Sequence, residues 1–294
     1  MTAIRRTTPC DRIVTSAEER RETVLQVIRE ARSTLALSLF RCNDTAVFEE
    51  LTRARGRGVA IDVLVTSRSR GGKKRQRKLW RALEATGASI RLHVDPVVKY
   101  HAKYLVADEG PALVASLNFT RKCFRKTIDA IVITHDPAVV AGLRQLIAAD
   151  SEARAITDVL SPRLIVGPER ARRQFTAIIE QARSSIRLID AKASDPAMTA
   201  LLRARRVAGI RVDLYEAKRL SGMKSHGKIM LIDDTLAVVG GLSLNAMSLD
   251  FRREVAVTVD EPTAVRRVSE LFEALGPPVN AGADSSGAEG EAAC

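Results

Sequence analysis

Two segments of the 294-residue chain carry the same three reactive side chains at the same spacing. These are His101, Lys103 and Asp108 in HAKYLVAD, and His226, Lys228 and Asp233 in HGKIMLID. The chain has only four histidines, so half of them open this pattern. In an extended strand residues i and i+2 point to one face, which sets each imidazole beside an ammonium. Such a pair can accept or donate a proton near neutral pH while neutralising an anion. A metal site is not expected, because lysine repels a cation and the histidines are few and far apart.

Further polar groups follow at fixed offsets. Ser116 and Asn118 stand 15 and 17 residues after His101, and Gly241 and Ser243 hold those places after His226, with Asn245 two residues on. An acid stands 28 residues after each histidine, Asp129 in one case and Glu254 in the other.

These matches belong to a longer repeat. Residues 11–65 align with 162–216 at a constant offset of 151, so that Asp44 meets Asp195 and Gly58 meets Gly209. From His101 onward the offset is 125, and the difference of 26 residues is extra sequence between about 66 and 100 of the first half. A register held this long is the mark of a duplicated domain.

The elements that must position the motifs read alike in both halves. Amphipathic helices are expected over 17–31 and 169–182, each leading into an apolar run at 35–40 or 186–189. A second helix ends at Gly58 or Gly209 before a β-rich run at 61–65 or 212–215. After each motif histidine come hairpin-like pairs, 104–107 with 112–115 and 229–232 with 236–239. A single strand is then expected over 128–134 and 254–259, with a closing helix after Pro137 or Pro262. The fold class is therefore α/β, each repeat a mixed sheet flanked by helices and the two repeats packed as a pseudo-twofold pair. The boundaries are read as 1–150 and 151–275, with a disordered tail over 276–294 that is poor in large apolar residues.

The paired motifs, the ASLNFT and GGLSLN segments and the later acids resemble the phospholipase D superfamily, whose signature is HxKxxxxD followed by G-[SG]-x-N. The resemblance covers roughly residues 11–275 and implies a metal-independent phosphodiesterase or phosphatidyltransferase that needs no cofactor. It implies that His101 attacks phosphorus to form a phosphohistidine and that His226 protonates the leaving alkoxide. Lys103 and Lys228 would neutralise phosphoryl oxygens, with Ser116, Asn118, Ser243 and Asn245 as substrate contacts. Asp129 and Glu254 would orient the imidazoles, and the motif acids Asp108 and Asp233 are expected to fix the scaffold rather than react. The sequence departs from the signature at Ala115, Asp129 and Ser243, where Gly, Glu and Asn are usual. The phosphate contacts are accordingly expected to be complete around His101 and thinner around His226, with Glu254 the better acid for His226.

Composition narrows the partner. Hydrophobic residues make up 46% and charged residues 28%, with a net charge of +12, which favours an anionic substrate. A phospholipid is favoured over DNA or RNA on the resemblance, since SLNAMSLDFRREVAV looks like the lipid-type members. A non-catalytic binder of anionic ligands is the weakest alternative, because both His-Lys pairs are intact. No run reaches the roughly 18 apolar residues of a spanning helix, so membrane contact is expected to be peripheral. Four scattered cysteines and an N-terminus without an apolar signal core fit a cytoplasmic chain. Both motifs lie in one chain, so a monomer suffices for the site.

Residues 67–78, SRSRGGKKRQRK, concentrate seven basic side chains shortly before His101. Replacing them with a short Gly/Ser loop should weaken binding to anionic vesicles or DNA and flatten its salt dependence. Binding titrations at two salt concentrations check this, and unchanged curves would leave the segment as a solvated face.

Overall fold

The apolar runs form strands, and the computed structural model arranges them in two equivalent mixed sheets. It describes residues 11–67, 72–156, 160–215 and 219–278. Residues 68–71 of the basic segment, 157–159 between the repeats, the tail beyond 278, Cys10 and Cys294 lie outside the described residues. The first sheet runs, in spatial order, Arg12–Val14, Ile131–Thr134, Ala112–Ala115, Tyr104–Ala107, Thr34–Leu39, Ala60–Thr66 and Ser89–His93. The second runs Leu164–Val166, Val255–Val259, Leu236–Gly240, Lys228–Ile232, Ser185–Ile189 and Arg211–Tyr215, which is the same order without the last strand. That additional edge strand and the helix Gly72–Glu84 before it account for much of the extra sequence in the first half.

Matching positions do matching work. Asp44 and Asp195 cap the helices Thr45–Gly56 and Pro196–Val207, and each also binds an arginine from the preceding helix, Arg21 at 2.9 Å and Arg172 at 2.7 Å. Gly58 and Gly209 follow those helices at φ +90° and +88°, a conformation that a Cβ would strain. The closing helices Pro137–Ser151 and Pro262–Leu275 both start with proline in the first turn behind an acidic cap, Asp136 or Glu261.

Alternation along the motif strands divides the core. Tyr104, Val106, Ile229 and Leu231 point into one cluster shared by both repeats, together with Val114 and Val239. The intervening Leu105 and Ala107 face Val24 and Ile28 of the first repeat's own helix, and Met230 and Ile232 face Phe175 and Ile179 in the second. Each such buried side chain contributes roughly 1.5–3 kcal/mol, so the two sheets are held face to face by a continuous apolar layer.

One expectation needs correction. The strand read as continuous over 128–134 is broken at the acid, into Thr127–Ile128 and Ile131–Thr134; the strand read over 254–259 runs unbroken as Val255–Val259, but a separate short strand, Arg252–Arg253, precedes its acid. The part after each acid pairs within its own sheet. The part before it pairs with the other repeat: Arg252–Arg253 lies parallel to Lys99–Tyr100, and Thr127–Ile128 lies parallel to Met223–Ser225. A strand cannot serve two sheets without a bend, and the acid occupies that bend.

The motif aspartates end their strands at φ +44° (Asp108) and +51° (Asp233), which Asp tolerates better than most side chains. Asp108 accepts from the amides of Arg32, Ser33 and Thr34 and from the Ser33 hydroxyl, at 2.7–2.9 Å. Asp233 does the same with Arg183, Ser184 and Ser185. Burial pushes the Asp108 carboxyl up, but these four donors outweigh it and hold the group well below the usual carboxylate range. Asp108→Ala or Asp233→Ala should therefore destabilise the fold by about 3 kcal/mol. Denaturant melts check it, and two unchanged midpoints would remove the scaffold role.

Candidate active site

The two cross-repeat ladders set the geometry of the site. Tyr100 pairs with Arg253 and Ser225 with Ile128, so the next residues along each strand, His101 with Glu254 and His226 with Asp129, become neighbours. The ladders extend past these pairs through His101 N to Arg253 O at 2.9 Å and Gly227 N to Ile128 O at 2.7 Å. His101 Nδ1 meets Glu254 Oε1, and His226 Nδ1 lies 3.0 and 3.2 Å from the two Asp129 oxygens. Each histidine is thus oriented by the acid of the other repeat. The pairing of His226 with Glu254 expected from sequence is wrong, because that strand bends away to join the opposite ladder.

Both acids are buried and supported. Ser116 donates to Asp129 Oδ1 at 2.7 Å and accepts from Ala130 N at 2.9 Å, Thr127 donates to Oδ2 at 2.5 Å, and the fully buried Arg20 lies 3.8 Å away. Ser248 donates to Glu254 Oε2. Arg20, Thr127 and Ser248 were not foreseen. Arg20 had a signal, since it falls on the apolar face of its helix with Val24, Val27 and Ile28, a place where a guanidinium needs a buried partner. Ser248 lay within the lipid-type segment, whereas Thr127 had no sequence mark.

The lysines face the same region. Lys103 and Lys228 each donate to the carbonyl of their own motif histidine. Lys103 Nζ is also 3.0 Å from His101 Nδ1, whose proton is committed to Glu254. A Cβ on Gly241, from the second repeat, would lie 3.6 Å from Lys103 Nζ and 3.8 Å from Glu254 Oε1, which places the two repeats' contributions in one cleft. Gly227 is the more tightly constrained: a Cβ there would approach Ile128 O to 2.8 Å.

The remaining expected contacts divide. Asn118 is buried, and its carboxamide oxygen has no hydrogen-bond partner. Ser116 is occupied with Asp129. Ser243 and Asn245, expected to contact substrate, are turned inward instead. Ser243 Oγ donates to Asp190 at 2.7–2.8 Å, and Asn245 donates to Ser243 Oγ at 2.7 Å while capping the helix Ala246–Phe251 through Ser248 N. The buried carboxylate of Asp190 thus takes the Ser243 donor. Among the described residues no cluster of three or more His, Cys, Asp or Glu could hold a metal ion.

Burial dominates the protonation of the site. It pushes His101 down to about 3, reinforced by the Lys103 charge and opposed by Glu254. It pushes Lys103 down to about 7, and lowers His226 against the opposing charge of Asp129. Burial would raise Glu254, but His101 and Lys103 override it and hold the carboxyl at about 2; Asp129 is held low chiefly by His226. At neutral pH the acids are ionised and the imidazoles neutral, with Nδ1–H donated to the carboxylate and Nε2 left as the basic atom.

A family model described as "Cardiolipin synthase, PLD-like domain" matches residues 24–151 and 159–275. The chain belongs to this phospholipase D-like family. Its superfamily comprises enzymes that act on phosphodiesters as hydrolases or transferases. No curated protein matches the chain. Among solved structures, a polyphosphate kinase from Porphyromonas gingivalis is similar with TM-score 0.71 and 18% identity, over 90% of this chain and 50% of that one. The phospholipase D-like chain therefore spans about half the length of that kinase. Phosphatidylserine synthase of Haemophilus influenzae Rd KW20 is similar with TM-score 0.65 and 11% identity, over 90% and 87% of the two chains. At these identities both likenesses show the fold alone.

The crossed pairing has a direct test. Asp129 raises the His226 pKa, so Asp129→Asn should lower the His226 titration midpoint, and Glu254→Gln should leave it in place. Imidazole ¹⁵N NMR titrations of the two variants read this, and the opposite pattern would mean that each histidine uses the acid of its own repeat.

Proposed function

We propose that the chain hydrolyses or transesterifies a phospholipid headgroup diester through a phosphohistidine on His101. The observation that carries this reading is the pair of histidines, each locked by Nδ1 to a buried carboxylate of the other repeat, beside two buried or half-buried lysines. The stronger depression of His101 suits it to be the neutral nucleophile, and His226, closer to the ordinary value, suits the acid. His101 Nε2 attacks phosphorus while the bond to the leaving alkoxide breaks, and that oxygen takes the Nε2 proton of His226. Water or an acceptor alcohol then gives its proton back to His226 and attacks phosphorus, breaking the P–N bond. Lys103 and Lys228 neutralise the non-bridging oxygens, and Asn118 donates to one of them through its Nδ2. Ser116 acts through Asp129 rather than on substrate.

A lipid is favoured because the matching family is described by cardiolipin synthase and because the match covers both repeats. A nuclease of the same superfamily is the second reading, favoured by the net charge of +12.

Offered phosphatidylglycerol vesicles and, separately, plasmid DNA in EDTA, the protein should release headgroup from the first and leave the second intact. His226→Ala should slow turnover by about 10²–10⁴-fold and let a covalent adduct build up on His101, visible by intact mass. DNA nicking without lipid turnover would overturn the substrate, and an adduct that survives His101→Ala would overturn the nucleophile. For kcat/KM, activity needs neutral His101 and protonated His226. The profile should therefore rise near pH 3 and fall below the ordinary histidine value of 6.5, with its maximum in acid. A maximum above pH 7 would contradict the assignment.

A further inference from the structure

Among the described residues the exposed large hydrophobic side chains are Val94 (70% exposed), Val97 (64%), Val207 (90%), Met247 (39%) and Phe251 (46%). Isolated exposed apolar residues need no explanation. Four of these five, however, lie on two segments clamped together by one ladder. Val94 and Val97 precede Lys99–Tyr100, and Met247 and Phe251 lie on the helix that leads into Arg252–Arg253, the strand paired with it. Met247 and Phe251 are four residues apart on that helix, so they share its outer face while Ser248 and Leu249 are buried.

The loop bearing the valines is ordered rather than loose. Asp95 Oδ1 accepts from Val97 N at 2.8 Å and Val98 N at 2.7 Å, a turn that holds the valines outward. Asp95 stays ionised against burial, since the two amide donors favour its charged form, and the neighbouring Asp250 is bound by Arg172. Two basic side chains, the exposed Lys99 and the half-buried Arg252, outnumber the Asp95 carboxylate at the rim. One residue beyond the ladder on either strand stand His101 and Glu254.

We propose that Val94, Val97, Met247 and Phe251, rimmed by Lys99 and Arg252, form a docking surface for an anionic lipid bilayer. Apolar side chains enter the headgroup layer while the basic rim meets its charge, which is how interfacial segments bind. Four side chains fall far short of the roughly 800 Å² per partner that a stable protein interface buries, which argues against a second copy of the chain as the occupant. The surface adjoins the His101 half of the site, so docking would bring a headgroup diester to the nucleophile. That purpose rests on the lipid reading above, but the binding itself does not.

The test separates the two. Cosedimentation with vesicles of phosphatidylglycerol and phosphatidylcholine should show the triple variant Val94→Ser/Val97→Ser/Phe251→Ser binding at least about tenfold more weakly than wild type. Wild type should also bind pure phosphatidylcholine more weakly than the anionic mixture. Cleavage of the soluble diester bis(p-nitrophenyl) phosphate should be unchanged in the variant, and its melting curve reports that it is folded. Equal vesicle binding by a folded variant would overturn the surface, as would a wild-type dimer in gel filtration that the variant converts to monomer. If wild type binds vesicles and the variant does not, yet neither cleaves the soluble diester, docking stands and the catalytic reading fails.

Discussion

The structure depends on two short backbone ladders that cross between the repeats. Each pairs only two residues, yet each fixes where a histidine meets its carboxylate. Register is the sensitive quantity: a slip of one residue would set His101 against Arg253 and send the Glu254 side chain to the other face. The shared apolar layer supplies the energy that such short ladders lack, since the same motif strands that carry the lysines also seal the two sheets together. Packing and chemistry are therefore one problem in this fold, because neither repeat contains a complete histidine–acid pair.

Much of this was legible in the chain. The duplication, the helices and strands of each repeat and the helix-ending glycines follow from local pattern, which is what a sequence displays, and the scaffold role of Asp108 and Asp233 followed from the family resemblance. The crossing was not legible. Asp129 and Glu254 stand at identical offsets from their own histidines, which invites a pairing within each repeat. Only the bend that hands a strand from one sheet to the other reverses it. The roles of Ser243 and Asn245 failed for a related reason: their spacing matched a phosphate contact, but Asp190, distant in sequence, takes the Ser243 hydrogen bond, and Asn245 is spent on Ser243 and on its helix cap.

The repeats have diverged around a common requirement. Each buried acid needs a hydroxyl donor, and each has one, but from different places. In the first repeat Ser116 serves Asp129 from the hairpin strand's end, and Thr127 and Arg20 help the shorter side chain. In the second, the position equivalent to Ser116 is Gly241, and the donor comes from Ser248 on the short helix Ala246–Phe251, whose first-repeat counterpart Arg121–Arg125 carries Cys123 at that position. Leaving 241 without a side chain keeps room beside Lys103 and Glu254. The asymmetry lies in how the acids are held, while both histidine–carboxylate contacts are preserved.

Gly227 gives that divergence a direction. It lies so close to the Ile128 carbonyl that a methyl group could not fit without parting the ladder, whereas its counterpart Ala102 is accommodated in the first repeat. A methyl group at 227 would displace the Ile128 carbonyl and with it the seat of Asp129. The carbon absent from one repeat thus keeps a carboxylate of the other in place, a requirement that position 102 does not share.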